Sequence, residues 1–135
     1  MIFYEDMVPG GRVVVDAETV DSEEMVRFAK AWDPMPFHID GSSAPGIYVL
    51  AFKQRLIHRL PKLAVLASFG YDEVRFHEPV KPRDKLSLVV EWVERRESGS
   101  RPNAGIVKLR LSLLNQVGTT VLSHLDTVLV RRRPN

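Results

Sequence analysis

Residues 107–130, VKLRLSLLNQVGTTVLSHLDTVLV, decide the class of fold. Between Val107 and Leu113 every second residue is apolar, which is the period of a half-buried β-strand. A second apolar run, Val121 to Val130, follows residues 116–118, whose Gln-Val-Gly sequence can form a turn. Two strands joined by so short a connection should form an antiparallel hairpin.

Further strands are predicted upstream of this hairpin. The period of two recurs in residues 71–76 and again in residues 86–92. Residues 97–103 have the composition of a flexible hairpin tip, and Val13 to Val15 can form a short first strand. The chain therefore ends in a run of antiparallel strands.

Two helices are predicted ahead of this run of strands. Asp21 and Glu24 have the spacing of a capping box, and the apolar positions behind them fall on one helix face, which consists of Met25, Phe28, Ala29 and Trp32. This helix should end at Asp33, because Pro34 disfavours helical geometry in the residue before it. Residues 47–60 are apolar nearly all round in their first two turns, which predicts a buried helix. The order of elements indicates an α+β fold.

The segment between the two helices, DPMPFHID at residues 33–40, carries the candidate chemistry. Its two prolines predict an irregular, stiffened loop. Asp33 and His38 supply a carboxylate and an imidazole, which together can move protons near neutral pH. Asp40 can orient the imidazole or form a turn. The alternative is structural, since Asp before Pro commonly ends a helix and a lone loop histidine is often not catalytic.

Composition restricts the remaining functions. The 135 residues fit one domain, 1–135, and contain no cysteine, so disulfides and thiolate chemistry are excluded. A net charge of +2 does not imply nucleic acid, no apolar run predicts a membrane segment, and we expect a cytoplasmic protein. Arg131 to Arg133 should be a solvated tail, with a phosphate contact as the weaker alternative. No metal is expected, since the other histidines are scattered: His58, His77 and His124.

Several stretches together resemble the MaoC-like hydratases, which include the R-specific enoyl-CoA hydratases. They are FYEDMVPG at residues 3–10, DPMPFHID at residues 33–40, VRF at residues 74–76 and the closing hairpin. The resemblance implies a hot-dog fold, in which a curved antiparallel sheet wraps around a central buried helix. It also implies that Asp33 and His38 are the catalytic pair that adds water to an enoyl thioester, or removes it.

The resemblance further implies the substrate contacts, which we expect from Asp40, Gly46, Leu50 and Ala51. A backbone N–H near Ala51, at the start of the buried helix, would bind the thioester oxygen. The family usually has a polar residue followed by glycine where this chain has Leu50 and Ala51, and Leu56 replaces a serine of some relatives.

Coenzyme A or acyl carrier protein would enter as part of the substrate, with no separate cofactor. The fold implies a homodimer or a dimer of dimers. A thioesterase and a non-catalytic acyl-thioester-binding subunit are the alternative functions.

Overall fold

The computed structural model describes all residues from 1 to 135 and contains one five-stranded antiparallel sheet. The strand order across the sheet is β1-β3-β4-β5-β2. The strands are β1 (Arg12–Thr19), β2 (Val65–Phe76), β3 (Lys85–Glu97), β4 (Ala104–Leu114) and β5 (Thr120–Arg131).

Three α-helices and one 3-10 turn accompany the sheet. They are the turn Tyr4–Asp6 and the helices α1 (Ser22–Trp32), α2 (Pro36–Ile39) and α3 (Gly46–Ile57). The buried face of α3 joins alternate residues of β3 and β4 in a single apolar core, because every second side chain of a strand points to the same face. The predicted α+β hot-dog arrangement, an antiparallel sheet around a buried helix, is confirmed.

The predicted closing hairpin is also confirmed. Strands β4 and β5 pair from Ala104↔Arg131 to Leu114↔Thr120, and the connection contains Gly118 at φ +82°. Glycine adopts this left-handed conformation without steric cost, which is why the turn can be so short. The preceding hairpin, β3 with β4, encloses the predicted tip between residues 97 and 104.

Strand β2 begins six residues earlier than the sequence predicts, at Val65 rather than at Tyr71. It is an edge strand, paired only with β5, and nearly all its side chains are exposed. Its register shifts three times, and Gly70 lies at φ +124°. An edge strand with bulges has no regular buried face, so residues 65–70 lack the alternation that reveals a strand.

Helix α1 begins as predicted, since the Glu24 N–H donates to Asp21 Oδ1 at 2.9 Å. Its end also agrees, with Asp33 as the C-cap. Of the predicted apolar face, Met25 and Ala29 are buried and Phe28 packs against the core, whereas Trp32 is 72% exposed and lies outside the core.

The expectation that residues 33–40 are irregular throughout is wrong for Pro36–Ile39, which form α2. Pro36 occupies the first turn, where a helix needs no N–H donor, so proline starts this helix rather than preventing it. Helix α3 ends at Ile57, three residues before the predicted Leu60.

The C-terminal arginines are not a solvated tail. Arg131 is the last residue of β5, Arg132 forms ion pairs with Glu5 and Glu97, and Arg133 pairs with Asp6. The guanidinium groups of Arg132 and Arg133 therefore bind carboxylates of the chain itself. No helix in the chain is long and apolar enough to cross a membrane.

Candidate active site

His38 lies in α2, with only 9% of its surface exposed. Its Nδ1 is 3.0 Å from the Ser43 carbonyl oxygen, and a carbonyl only accepts, so Nδ1 carries the proton and donates. The neutral imidazole therefore presents an unprotonated Nε2. The Phe37 ring packs against the imidazole in an edge-on contact with centroids 4.4 Å apart. These contacts fix both the tautomer and the orientation of His38.

Asp33 faces the free nitrogen of His38. As the C-cap of α1, Asp33 has an extended φ of −154°, which turns the chain from α1 toward α2. Its Oδ2 lies 3.6 Å from His38 Nε2. This distance is too long for a hydrogen bond, but both atoms can accept from one water molecule that donates a hydrogen to each. The structure thus brings together the two residues that the sequence singled out.

A cavity of about 390 Å³ opens beside His38. Its wall includes His38, Ser43, Gly46, Val49, Phe76 and His77. A Cβ atom at Gly46 would lie 2.8 Å from the Phe76 ring, so a glycine is required for this ring to pack against the start of α3. Gly46, one of the expected substrate contacts, therefore shares a cavity with His38.

Asp40, another expected contact, forms a turn instead of orienting the imidazole. Its Oδ1 accepts from the Ser42 N–H at 2.7 Å, and its side chain is exposed. The hydrogen bonds with Ser42 hold the pKa of Asp40 below its ordinary value. The group that orients His38 is the Ser43 carbonyl, which a sequence pattern of side chains does not reveal.

Leu50 and Ala51 do not line the cavity beside His38. Leu50 packs against the apolar core, and Ala51 is exposed. Ala51 is the sixth residue of α3, where the N–H belongs to the hydrogen-bond ladder of the helix. Because the Ala51 N–H is engaged within the helix, this position disfavours the expected role of Ala51 as the donor to the thioester oxygen. Leu56 is fully buried in the core.

The free donors of α3 belong to Gly46 and Ile47. The N–H groups of Tyr48 and Val49 both donate to the Pro45 carbonyl, whereas those of Gly46 and Ile47 have no acceptor in the protein. Unpaired N–H groups at a helix N-terminus attract negative charge. The N–H groups that are free to bind a ligand at the start of α3 are therefore those of Gly46 and Ile47, and not that of Ala51.

Sequence reasoning missed a second polar group, which lies between α3 and the sheet. Lys53 of α3 is only 1% exposed and donates to the Tyr71 hydroxyl at 3.0 Å. His124 and Asp126 of β5 are also buried. A signal was present, because Lys53 interrupts the inward face formed by Val49, Phe52 and Leu56.

The comparison with known families agrees with this fold and with the resemblance noted from the sequence. A family model described as a MaoC like domain matches residues 7–112. The chain belongs to this MaoC-like family. Among its relatives is an uncharacterised protein, YdeM of Bacillus subtilis, which is 29% identical over 125 residues that cover 84% of this chain and 87% of YdeM.

Two further similar proteins have names that state an activity. The mesaconyl-CoA hydratase of Cereibacter sphaeroides is 33% identical over 93 residues, which are 67% of this chain but 27% of the hydratase. The crystal structure of a MaoC-like dehydratase from Rhodospirillum rubrum is 28% identical, with a TM-score of 0.90 and complete coverage of both chains.

Proposed function

We propose that this protein is an acyl-thioester hydratase or dehydratase, which adds water to an enoyl thioester or removes it. The observation that carries the proposal is the 3.6 Å separation of Asp33 Oδ2 and His38 Nε2, two acceptors that one water molecule can bridge. His38 also lines a cavity that can hold the acyl group. Membership of the MaoC-like family and the similarity to a mesaconyl-CoA hydratase support the proposal.

In the proposed reaction, the bridging water is held by His38 and Asp33 beside the double bond. The water oxygen bonds to the β-carbon as one of its protons passes to this acid-base pair. The α-carbon then receives a proton from the pair, so the sum is the addition of H and OH, and the pair returns to its starting state. Dehydration follows the same steps in reverse.

The thioester oxygen gains negative charge as water adds, and this charge needs a hydrogen-bond donor. We assign this role to the N–H groups of Gly46 and Ile47, which have no acceptor in the protein. Gly46 lines the same cavity as His38, and the helix dipole of α3 adds positive potential at this end. This assignment replaces the one at Ala51.

The proposal also covers the group that carries the acyl chain and the oligomeric state of the protein. Coenzyme A or acyl carrier protein enters as part of the substrate, and the reaction needs neither a metal nor a separate cofactor. The active protein is a homodimer or a dimer of dimers. The alternative of a binding subunit without activity rests on Leu50, Ala51 and Leu56, which replace residues expected around the substrate. None of the three lines the cavity beside His38, so they do not argue for a silent site there.

The deciding experiment measures purified protein against enoyl-CoA thioesters of several lengths, following both loss of the conjugated double bond and release of free thiol. We expect loss of the double bond without thiol release. Asp33→Asn and His38→Ala should each lower hydration on the order of a hundredfold or more, with circular dichroism unchanged.

The matched control is Asp16→Asn, which removes an exposed carboxylate on β1 and should leave hydration unchanged. Near-normal turnover in either site variant would contradict the mechanism. Release of thiol without hydration would show a thioesterase instead.

A further inference from the structure

The polar group between α3 and the sheet forms one connected cluster. The Lys53 ammonium donates to the Tyr71 hydroxyl at 3.0 Å and lies 4.2 Å from the centroid of the Tyr71 ring. The Tyr71 ring also packs against His124, with centroids 4.2 Å apart and planes tilted by 31°. Ser68 donates to Asp126 Oδ1 at 2.8 Å. The cluster, defined by Lys53, Ser68, Tyr71, His124 and Asp126, plays no part in the proposed hydration step.

The charge of Lys53 has no direct partner in this cluster. No carboxylate lies within 4 Å of its ammonium, whose acceptors are the Tyr71 hydroxyl and, at 3.4 Å, Gln54 Oε1. A buried ammonium held only by neutral groups is costly, and an anion placed beside it recovers part of that cost. Burial of Lys53 therefore points to an anionic ligand.

The cluster also has unused hydrogen-bonding capacity. The Tyr71 hydroxyl accepts from Lys53, so its own hydrogen remains free to be donated. His124 Nδ1 lies 3.1 Å from the Leu125 carbonyl, which requires the proton on Nδ1, and its buried Nε2 has no partner. Burial, followed by the nearby charge of Lys53, lowers the pKa of His124, which keeps the imidazole neutral. Only the ammonium and the hydroxyl can therefore donate to a ligand.

Three members of the cluster, Ser68, Tyr71 and Asp126, line a second cavity of about 590 Å³, which shares no lining residue with the one beside His38. Its wall includes Gln54, Ile57, Ser68, Tyr71 and Asp126. Along α3, Val49 lines the first cavity, Lys53 follows one turn later, and Gln54 and Ile57 line the second. One helical turn advances about 6 Å from Val49 to Lys53, a distance that a short acyl chain can span.

We propose, on the basis of the hydratase function above, that Lys53 and Tyr71 recognise a carboxylate on the acyl group of the substrate. The substrate class is then a coenzyme A or carrier-protein monothioester of a short unsaturated dicarboxylic acid. The thioester end lies beside Asp33 and His38, and the carboxylate accepts from the Lys53 ammonium and the Tyr71 hydroxyl.

Asp126 limits where this carboxylate can bind. Its own carboxylate lines the same cavity and would repel a second one, but it is held by Ser68. Tyr71 is the cross-strand partner of Asp126, so a carboxylate bound at the Tyr71 hydroxyl would lie near that charge. Asp126→Asn should lower KM for a carboxylated substrate without changing KM for a neutral one.

The test compares two matched pairs of substrates: crotonyl-CoA with the coenzyme A monothioester of fumarate, and 2-pentenoyl-CoA with that of glutaconate. Within each pair, the acyl chain of one substrate ends in a methyl group and that of the other ends in a carboxylate. We expect the parent protein to have the higher kcat/KM for the carboxylated member of at least one pair.

Lys53→Met should lower that kcat/KM on the order of thirtyfold or more and change the neutral member by less than about threefold. It should remain folded, because replacing a buried charge with an apolar side chain of similar length is often neutral or stabilising. Tyr71→Phe should produce a smaller loss of the same kind, about fivefold. Lys30→Met removes an exposed lysine of α1 and serves as the matched control for charge.

The outcomes separate this inference from the proposed function. Hydration of the neutral substrates with no preference for either carboxylated one would overturn the inference and leave the hydratase assignment intact. An equal loss on both members of a pair in Lys53→Met would show a structural lysine and would also overturn it. Absence of hydration with every substrate, in parent and variants alike, would reject the hydratase function itself.

Discussion

Gly105 shows how closely individual residues of this protein are packed. A Cβ atom at Gly105 of β4 would collide with the ring of Tyr4. That ring cannot easily move, because the guanidinium groups of Arg95 and Arg132 lie 5.0 and 4.6 Å from its centroid. A glycine is needed here for close approach, and not for an unusual backbone conformation.

We therefore expect Gly105→Ala to lower the free energy of unfolding by about 1–3 kcal/mol, the usual cost of overpacking a core. Gly99→Ala is the matched control, since nothing lies within 4 Å of a Cβ atom placed there. Urea denaturation of both variants gives the comparison. Equal stability of the two variants would contradict the packing described for Tyr4.

At the scale of elements, Glu24 joins α1 to α3. Its carboxylate accepts from the Tyr48 hydroxyl at 2.8 Å and from Arg55, and both donors belong to α3. Burial alone would raise the pKa of Glu24, but the hydrogen bonds from Arg55 and Tyr48 outweigh it and hold the pKa below the ordinary 4.5. The carboxylate is therefore more acidic in the folded chain than in the unfolded one.

The sign of the pH effect follows from this shift. A carboxylate with a lowered pKa in the folded state stabilises the protein above about pH 4.5, and this contribution is lost as the pH falls further. Glu24→Gln should be about 1–2 kcal/mol less stable than the parent at pH 7, with a smaller difference near pH 3.5. Glu23→Gln, at the exposed neighbouring position, is the control. A constant difference between parent and Glu24→Gln across this range would argue against the ion pair.

At the scale of the whole molecule, the free edge of β2 predicts a dimer. Strand β2 pairs only with β5, and its exposed apolar side chains include Leu66 and Phe69. An unpaired edge with apolar residues is a template for pairing with another chain. We expect two copies to join here into one continuous sheet.

Sedimentation at micromolar concentration should therefore give a dimer for the parent protein and a larger monomer fraction for Phe69→Lys. Val14→Lys is the matched control, because Val14 is an exposed apolar residue on β1, the opposite edge of the sheet. A monomeric parent, or equal dissociation in both variants, would count against pairing through β2.

The sequence alone determined the features that depend on neighbours along the chain. The period of two in residues 107–130 predicts the closing hairpin, and Asp21 and Pro34 fix the start and end of α1. Asp33 and His38 were found as candidates because they lie on one short segment. Such signals involve residues that are close together in the chain, so they can be recognised in the sequence without knowledge of the rest of the fold.

Only the tertiary structure decided which groups meet across the sheet and which α3 donors are free. Lys53 and Tyr71 are 18 residues apart, and Ser68 and Asp126 are 58 apart, so no local pattern records their contacts. The N–H groups of α3 without an acceptor belong to Gly46 and Ile47, whereas the sequence placed the expected oxyanion donor near Ala51. Helix ends and strand edges are set by packing against distant residues. The contacts across the sheet and the free donors of α3 can therefore be located only in the folded chain.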